Sequence, residues 1–214
     1  MDQRAVFLDR DGTLVHPRHY PSRPEELELY EGVEPELRAL QHMGFRLVVI
    51  TNQSGVARGL FTTDDLERMH ARLRDDLAAW DVRLDGIYYC PHHPDGVVSP
   101  LAVRCACRKP RPGLVFRAAA DLHLQLRGSW FVGDILDDME AGNRAGCRTV
   151  LVDLGTEPPP DASIRRPAYV APDTRRALRI IQTIESGQST VESAYLPSSW
   201  RQAEALREKE RRHG

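Results

Sequence analysis

The sequence predicts an α/β fold in which a mainly parallel sheet is doubly wound, in the Rossmann-like manner, with helices on both faces. Short apolar segments typical of buried strands alternate with longer segments whose apolar residues recur at helical spacing. This alternation indicates parallel strands joined by crossover helices. Polar side chains follow three of the predicted strands, at Asp9, Thr51 and Asp134. Because ligands of such sheets bind beyond the carboxyl ends of the strands, we expect one site there.

The predicted elements follow one another without an internal repeat. The predicted strands are residues 5–8, 46–50, 86–89, 130–132 and 149–152. The predicted helices are residues 33–43, 62–80 and 114–126, and a short helix through 139 and 145. Gly44 ends the first helix. The second helix has an apolar stripe typical of core packing: Leu66, Met69, Leu73, Leu77 and Trp80. Residues 169–184 add one more short strand and helix.

Composition bounds the class of protein. With 41% hydrophobic residues and a net charge of −2, the chain of 214 residues predicts an ordinary soluble core and no nucleic-acid partner. Its apolar runs are too short for a bilayer, so no membrane partner is expected. No secretory segment precedes the first strand, which predicts a cytoplasmic protein, and we expect a monomer.

We expect residues 1–186 to form one domain and residues 187–214 to form a mobile or helical tail. Within the tail, residues 188–199 are rich in Ser and Thr and are predicted to be mobile. Residues 202–212 are a candidate charged helix in which glutamates interrupt the basic residues, which argues against a nucleic-acid-binding tail.

Two acidic residues, Asp9 and Asp11, stand directly after the first predicted strand, where Gly12 breaks it. If the strand continues through them, both carboxylates leave the same face of the sheet. Two acids on one face repel each other unless a cation lies between them or one of them holds a proton. The hard cation Mg²⁺ is the ion that such a pair of carboxylates usually binds. The alternative is a solvated Asp-x-Asp-Gly turn.

A second cluster of metal-ligating residues occurs in the loop after the third predicted strand: Cys90, His92, Cys105 and Cys107. Three thiolates and one imidazole are a set typical of a closed, tetrahedral, structural zinc site. His93 is the competing ligand. Cys147 lies in a helix-to-strand turn and is predicted to be a small buried hydrophobe. The alternative interpretation of the four ligands is a set of reduced core residues.

Four motifs occur in order along the chain: Asp9-x-Asp11-Gly12-Thr13, Thr51, Lys109 and Gly133-Asp134-x-x-x-Asp138. Over about the first 155 residues they resemble the haloacid dehalogenase-like phosphatase superfamily. Alone, Thr51 could be the last residue of a strand, and Lys109 a solvated loop charge. The acids Asp134 and Asp138 could be helix-capping residues. No Gly-x-x-x-x-Gly-Lys-Ser/Thr loop is present, which disfavours a nucleotide-hydrolysing P-loop.

The resemblance implies a Mg²⁺-dependent phosphatase that works through an aspartyl phosphate. Asp9 would be the nucleophile, and Asp11 would protonate the leaving oxygen and then take a proton from water. Thr51 and Lys109 would hold the phosphoryl oxygens. The implied residues around Mg²⁺ are Asp9, the backbone carbonyl of Asp11, Asp134 and, through metal-bound water, Asp138.

Four longer segments, residues 9–13, 51–55, 90–94 and 105–110, narrow the resemblance. They are similar to D-glycero-D-manno-heptose 1,7-bisphosphate 7-phosphatases and to the related histidinol-phosphate phosphatases. This branch has no cap domain and carries a zinc-binding loop, here at about residues 90–110. The cofactors that it implies are Mg²⁺ and Zn²⁺.

The narrower resemblance implies removal of the 7-phosphate from the heptose bisphosphate. The alternatives are histidinol phosphate or another small sugar phosphate as substrate, and a zinc-stabilised binding module without catalysis. The implied substrate-binding residues are Tyr20, Asn52, Gln53, Ser54 and Arg108. The family commonly has Lys directly after its motif aspartate, and this sequence departs from it with Ile135.

Overall fold

The computed structural model describes residues 3–188, 196–198, 200 and 201. At its centre lies a six-stranded parallel sheet. The strands are β1 (Ala5–Leu8), β2 (Arg46–Asn52), β3 (Gly86–Cys90), β4 (Trp130–Gly133), β5 (Arg148–Val152) and β6 (Tyr169–Ala171). The α-helices are α1 (Glu34–His42), α2 (Thr63–Ala78), α3 (Gly113–Asp121), α4 (Leu136–Ala145) and α5 (Thr174–Glu185). The predicted α/β class is confirmed.

The direction in which successive strands are added to the sheet reverses beside β1. The strand order is β3-β2-β1-β4-β5-β6, so the chain builds outward from β1 on one side and then returns to build on the other. Val6 pairs with Leu47 of β2 and with Trp130 of β4. Ligands of open α/β sheets bind at such a switch point, beyond the carboxyl ends of the strands. The residues that follow β1 and β4 therefore lie side by side where a ligand is expected.

The core is divided between the two faces of the sheet, as double winding requires. Alternate residues of a strand point to opposite faces, and β1 divides accordingly. Val6 and Leu8 belong to a core shared with α1, α2 and α5. Ala5 and Phe7 belong to a core shared with α3 on the other face. All four β1 residues are fully buried, which makes the first strand a rigid support for the residues after it.

Several predicted boundaries shift in ways that have local causes. Strand β2 runs two residues beyond its predicted end because Thr51 and Asn52 pair with the end of β3. The prediction that α3 extends to residue 126 is wrong, because the helix ends at Asp121 and His123 adopts a left-handed φ of 52°. Left-handed residues end helices because they cannot continue the helical hydrogen-bond pattern.

The segments that follow β1 and β3 are loops rather than cap domains. Among the described residues, their regular structure is confined to two short 3₁₀ turns, Pro24–Glu26 and Ser99–Leu101. The expected capless architecture is therefore confirmed, and the carboxyl edge of the sheet is covered only by loops.

Part of the predicted tail packs against the domain. Trp200 is 5% exposed and joins a small core with residues of α4, β5 and β6. Its indole N–H donates a hydrogen bond to the backbone oxygen of Glu157 at 3.1 Å. Most of the segment predicted to be mobile and the whole candidate helix at 202–212 lie outside the described residues. Among the helices that the structure describes, none combines the length and apolar character that a membrane crossing needs.

Candidate active site

Three buried carboxylates meet at the carboxyl ends of β1 and β4. Asp9 directly follows β1, Asp134 directly follows β4, and Asp138 lies in the first turn of α4. One oxygen from each lies within 4.8 Å of the others. Their exposed fractions are only 6%, 9% and 0%. The structure thus brings together three of the acids expected around Mg²⁺.

Two glycines permit this close approach. A Cβ at Gly12, whose φ is +84°, would lie 2.3 Å from Asp134 Oδ2. A Cβ at Gly133 would lie 2.2 Å from Asp138 Oδ2. Both distances are far below van der Waals contact, so a larger residue at either position would displace a carboxylate of the site.

Lys109 enters the carboxylate cluster from the loop after β3. Its ammonium donates to Asp9 Oδ1 at 2.7 Å and to the Ile50 backbone oxygen at 3.1 Å, and it lies 2.6 Å from Asp138 Oδ1. Burial alone would lower the pKa of Lys109, but the charges of Asp138 and Asp9 outweigh it and raise this pKa. The lysine is therefore a fixed cation inside the site.

The cluster still carries more negative than positive charge. Three carboxylates surround one ammonium. Burial, together with the charges of Asp9 and Asp138, raises the pKa of Asp134 to about 8. Burial likewise raises the pKa of Asp138 to about 7, with Lys109 opposing the shift. Hard oxygen donors with surplus negative charge are the chemistry that Mg²⁺ selects, so these residues fit the ion.

The second motif acid, Asp11, lies at the rim of the cluster in a network of its own. Its side chain is 27% exposed and forms an ion pair with the fully buried Arg10. Gln53 Nε2 donates to Asp11 Oδ2 at 2.9 Å and to Thr51 Oγ1 at 2.8 Å. Sequence reasoning missed Arg10, although its position between two motif acids was a signal.

The side chain of Asn52 supports Lys109. Its side-chain amide donates to the Lys109 backbone oxygen at 3.2 Å, and its Oδ1 accepts from the Lys109 backbone N–H at 3.1 Å. A reciprocal pair of this kind fixes the backbone of Lys109 against the end of β2. The structure thus shows Asn52 bound to protein, while the sequence predicted that it binds substrate.

Four soft ligands converge in the loop before Lys109. The sulfur atoms of Cys90, Cys105 and Cys107 lie 3.1–3.5 Å apart, and His92 Nδ1 lies 3.3 Å from Cys107 Sγ. This Cys₃His set matches a closed tetrahedral zinc site. The competing residue, His93, lies against Arg58 instead, 3.0 Å from its Nη2. Cys147 is buried and does not join this ligand set, and burial raises the pKa of its thiol to about 12.

Two guanidinium groups, those of Arg58 and Arg108, lie close enough to His93 to act on its charge. Burial and the nearby charges of Arg58 and Arg108 lower the pKa of His93. Arg58 Nε and Arg108 Nη1 are buried and have no hydrogen-bond partner among the described residues. Sequence reasoning selected Arg108 but missed Arg58, which bonds back to the Ser54 oxygen through its backbone N–H at 3.0 Å. The pair is a candidate anion-binding surface.

The other two predicted substrate residues lie in neighbouring loops. Ser54 is 8% exposed and follows Gln53 at the end of β2. Tyr20, half-buried in the loop after β1, has a left-handed φ of 51° and contacts the ring of His19. Neither side chain joins the carboxylate cluster.

Comparison with known proteins finds relatives that agree with one another in family. A family model described as HAD-hydrolase-like matches residues 106–177. The D-glycero-beta-D-manno-heptose-1,7-bisphosphate 7-phosphatase of Escherichia coli (strain K12) is 46% identical over 159 residues, covering 74% of this chain and 83% of that protein. The enzyme of the same name from Haemophilus ducreyi is 42% identical over 160 residues, covering 72% and 86%.

A solved structure shows the same likeness. The D,D-heptose 1,7-bisphosphate phosphatase of B. bronchiseptica, complexed with magnesium and phosphate, is 30% identical to this chain. The superposition has a TM-score of 0.71 and covers 85% of this chain and 99% of that one.

Proposed function

We propose a function from the premise that the chain belongs to the family of D-glycero-beta-D-manno-heptose-1,7-bisphosphate 7-phosphatases, within the haloacid dehalogenase-like hydrolases. The chain is thus a phosphatase, and the alternative of a binding module without catalysis is set aside. Its proposed reaction is Mg²⁺-dependent removal of the 7-phosphate from D-glycero-D-manno-heptose 1,7-bisphosphate. The observation that carries the proposal is the buried Asp9 carboxylate, held by Lys109 beside Asp134 and Asp138.

Asp9 is the proposed nucleophile. Its carboxylate attacks phosphorus, and the bond between phosphorus and the sugar oxygen breaks as an aspartyl phosphate forms. Asp11 gives its proton to the departing sugar oxygen. It then takes a proton from the water that attacks the phosphorus of the intermediate, which releases phosphate and restores Asp9.

Thr51 and Lys109 are the proposed holders of the transferred phosphoryl group. The Thr51 hydroxyl and the Lys109 ammonium are both almost fully buried. Thr51 donates to a non-bridging oxygen, and Lys109 does so by exchanging its present contact with Asp9 for a phosphoryl oxygen. Because the transition state of phosphoryl transfer is loose, positioning and charge stabilisation supply most of the catalysis. Mg²⁺ would be held by Asp9, Asp134 and the backbone carbonyl of Asp11, and when bound it neutralises charge between nucleophile and phosphate.

Zinc is the proposed second metal, held by Cys90, His92, Cys105 and Cys107. Its role is structural, because the set leaves no ligand position for water. Cysteine thiols are kept reduced in the cytoplasm, so this proposal agrees with a cytoplasmic protein. The monomeric state and the absence of nucleic-acid partners stay predictions from the sequence.

A bisphosphate is the proposed substrate because of Arg58 and Arg108. Guanidinium groups bind phosphate bidentately, and these two belong to half-buried residues whose charges both act on the imidazole of His93. The distal end of histidinol phosphate carries an amine that is cationic at neutral pH, and the two guanidinium groups would repel it. A distal phosphate fits the same surface.

Steady-state phosphate release tests the proposal. We expect Mg²⁺-dependent turnover with a higher kcat/KM for the heptose bisphosphate than for histidinol phosphate, and loss of turnover in Asp9→Asn with an unchanged fold. A preference for histidinol phosphate would overturn the substrate, and wild-type activity in Asp9→Asn would overturn the nucleophile.

A further inference from the structure

The side-chain amide of Gln53 forms hydrogen bonds within the protein. Gln53 is 4% exposed and follows β2 directly. Its Nε2 donates to both Asp11 Oδ2 and Thr51 Oγ1. The amide nitrogen lies within hydrogen-bond distance of both acceptors, so both of its hydrogens are used. No N–H of this side chain is left to donate to a sugar.

This arrangement also orients Thr51. A hydroxyl has one proton to donate and lone pairs that accept. Because Thr51 Oγ1 accepts from Gln53 at 2.8 Å, its own proton stays free for a phosphoryl oxygen. Gln53 therefore ties the proposed phosphate holder to the proposed acid.

Arg10 holds Asp11 from a second direction. Its Nε and Nη2 donate to the two oxygens of Asp11, each at 3.1 Å. The Arg10 side chain is fully buried, and among the described residues Asp11 is its ion-pair partner. Separating a buried charge from its partner is costly. Asp11 is thus held in one place by Arg10 and Gln53 together.

We propose that Gln53 and Arg10 are positioning residues that fix Asp11 for proton transfer, and that Gln53 does not bind the sugar. The inference rests on the proposed function, because it takes Asp11 as the acid. The proton on Asp11 passes to the sugar oxygen as the bond between that oxygen and phosphorus breaks, and Asp11 is left as a carboxylate. An acid that is not held in place transfers the proton less often.

The test compares two leaving groups in Gln53→Met, which keeps the side-chain volume and removes the donor. An alkoxide needs a proton to leave, whereas 4-nitrophenolate does not. For the heptose bisphosphate, we expect kcat/KM, which reports formation of the aspartyl phosphate and not its later hydrolysis, to fall about 10- to 100-fold, part of the roughly 10²–10⁴-fold that acid catalysis supplies, with KM raised no more than about threefold. For 4-nitrophenyl phosphate, we expect a loss of kcat/KM at least about tenfold smaller.

Two control variants, Asp11→Asn and Gln125→Met, make the outcomes distinct. Asp11→Asn must show the same split between the two substrates; equal losses there would overturn the acid and with it this inference. If Asp11→Asn shows the split and Gln53→Met does not, the positioning role alone is wrong. A rise in KM for the sugar phosphate at unchanged kcat would show that Gln53 binds substrate. The exposed Gln125→Met should match wild type on both substrates.

Folding is monitored separately by thermal unfolding. Should Gln53→Met fail to fold, two further variants carry the same test. Gln53→Glu keeps the shape and replaces the amide donor, and Arg10→Lys keeps the charge but loses the paired donors. Both are expected to show the split between substrates, and equal losses on the two substrates would overturn the proposal.

Discussion

The Lys109 ammonium lies 2.6 Å from Asp138 Oδ1, in a site where Asp138 is fully buried. The charge of Asp138 thus neutralises that of Lys109, while Asp9 accepts a hydrogen bond from the same ammonium. The acid also accepts from the Ile135 backbone N–H at 3.3 Å, which fixes the start of α4. One carboxylate therefore supports both the Lys109 ammonium and the turn that carries Asp134.

We expect Asp138→Asn to lower activity mainly through Mg²⁺ affinity. The amide keeps the shape but removes a charge that holds Lys109 and surrounds the metal. Loss of an outer partner of a metal site typically costs about 10- to 100-fold in metal affinity or activity. The measurement is phosphate release against Mg²⁺ concentration. An unchanged half-saturating Mg²⁺ concentration and unchanged kcat would contradict it.

Removal of zinc is expected to lower kcat even with Mg²⁺ in excess. Cys107, a proposed zinc ligand, stands two residues before Lys109. The Ala106 backbone oxygen accepts from the Gly113 backbone N–H at 3.2 Å, so the segment that carries Lys109 is held at both of its ends. Structural zinc is worth roughly 10–16 kcal/mol in small finger peptides, ample to order one loop.

The zinc prediction is checked by chelation, restoration of Mg²⁺, and metal analysis alongside turnover. Cys147→Ala should keep both zinc and activity, because Cys147 is not among the four residues whose ligand atoms converge. His93→Ala should keep zinc, whereas His92→Ala should lose it. Full turnover in the zinc-free protein would refute the link between the metal and Lys109.

The sequence was sufficient to predict the sheet and the residues at its carboxyl edge. Short apolar segments alternate with helical segments along the sequence, and this alternation predicts a parallel sheet. Because β1 and β4 are parallel neighbours, Asp9 and Asp134 meet at the same edge of the sheet, independently of the conformation of the loops. The end of α3 was mispredicted because the left-handed turn at His123 has no glycine to mark it.

The contacts of the polar side chains could not be predicted in the same way. Asn52, Gln53 and Arg10 form partnerships that depend on the register of β2 against β1 and on the path of a loop 57 residues away from Asn52. A motif shows that such residues occur together but not whether they face a ligand or each other. Arg58 was missed for the same reason, because its neighbour His93 comes from a separate loop.

Acid is expected to destabilise the protein through His70. This residue is 1% exposed, and its pKa is lowered from 6.5 to about 3 by burial and by the charges of Arg10 and Arg74. Below the unfolded pKa the unfolded chain binds a proton that the folded protein excludes, so stability is present above that pKa and falls as the pH drops. Between pH 7 and pH 5 the loss from this group is about 2 kcal/mol.

Urea unfolding of wild type and His70→Leu at pH 7 and pH 5 measures this effect. The variant is expected to lose less free energy of unfolding on acidification, by about 2 kcal/mol. Protonation of other groups, the zinc ligands included, is common to both proteins and cancels in the difference. Identical losses in the two proteins would exclude His70 as the cause.

Trp200 is expected to stabilise the domain. It packs against Leu136 and Met139 of α4, and its partner Glu157 accepts from the Leu136 backbone N–H at 2.9 Å. Loss of a buried aromatic side chain costs about 3–5 kcal/mol, and we expect Trp200→Ala to lower the free energy of unfolding by about 3 kcal/mol. Leu60→Ala, at a position that is 52% exposed, is the control. Equal stability of the two variants would contradict this role.

Ile135 is expected to limit the affinity for a second phosphate. It follows Asp134 directly, at the position where the family commonly has Lys. A lysine there would add a cation one residue after Asp134 at little cost to α4, because the residue is only half-buried and stands at the N-cap of that helix. One added exposed ion pair is worth at most about 1 kcal/mol. Ile135→Lys should therefore raise kcat/KM for the heptose bisphosphate about three- to fivefold.

The same change should leave a monophosphate of the same sugar unaffected, because that substrate has no distal charge to meet the lysine. Added salt should reduce the gain, since exposed charges are screened beyond about 10 Å at 0.1 M ionic strength. Ile135→Met, which changes shape without charge, separates electrostatics from packing. A gain in Ile135→Met equal to that in Ile135→Lys, or a gain on both substrates, would mean that charge at this position does not select the bisphosphate.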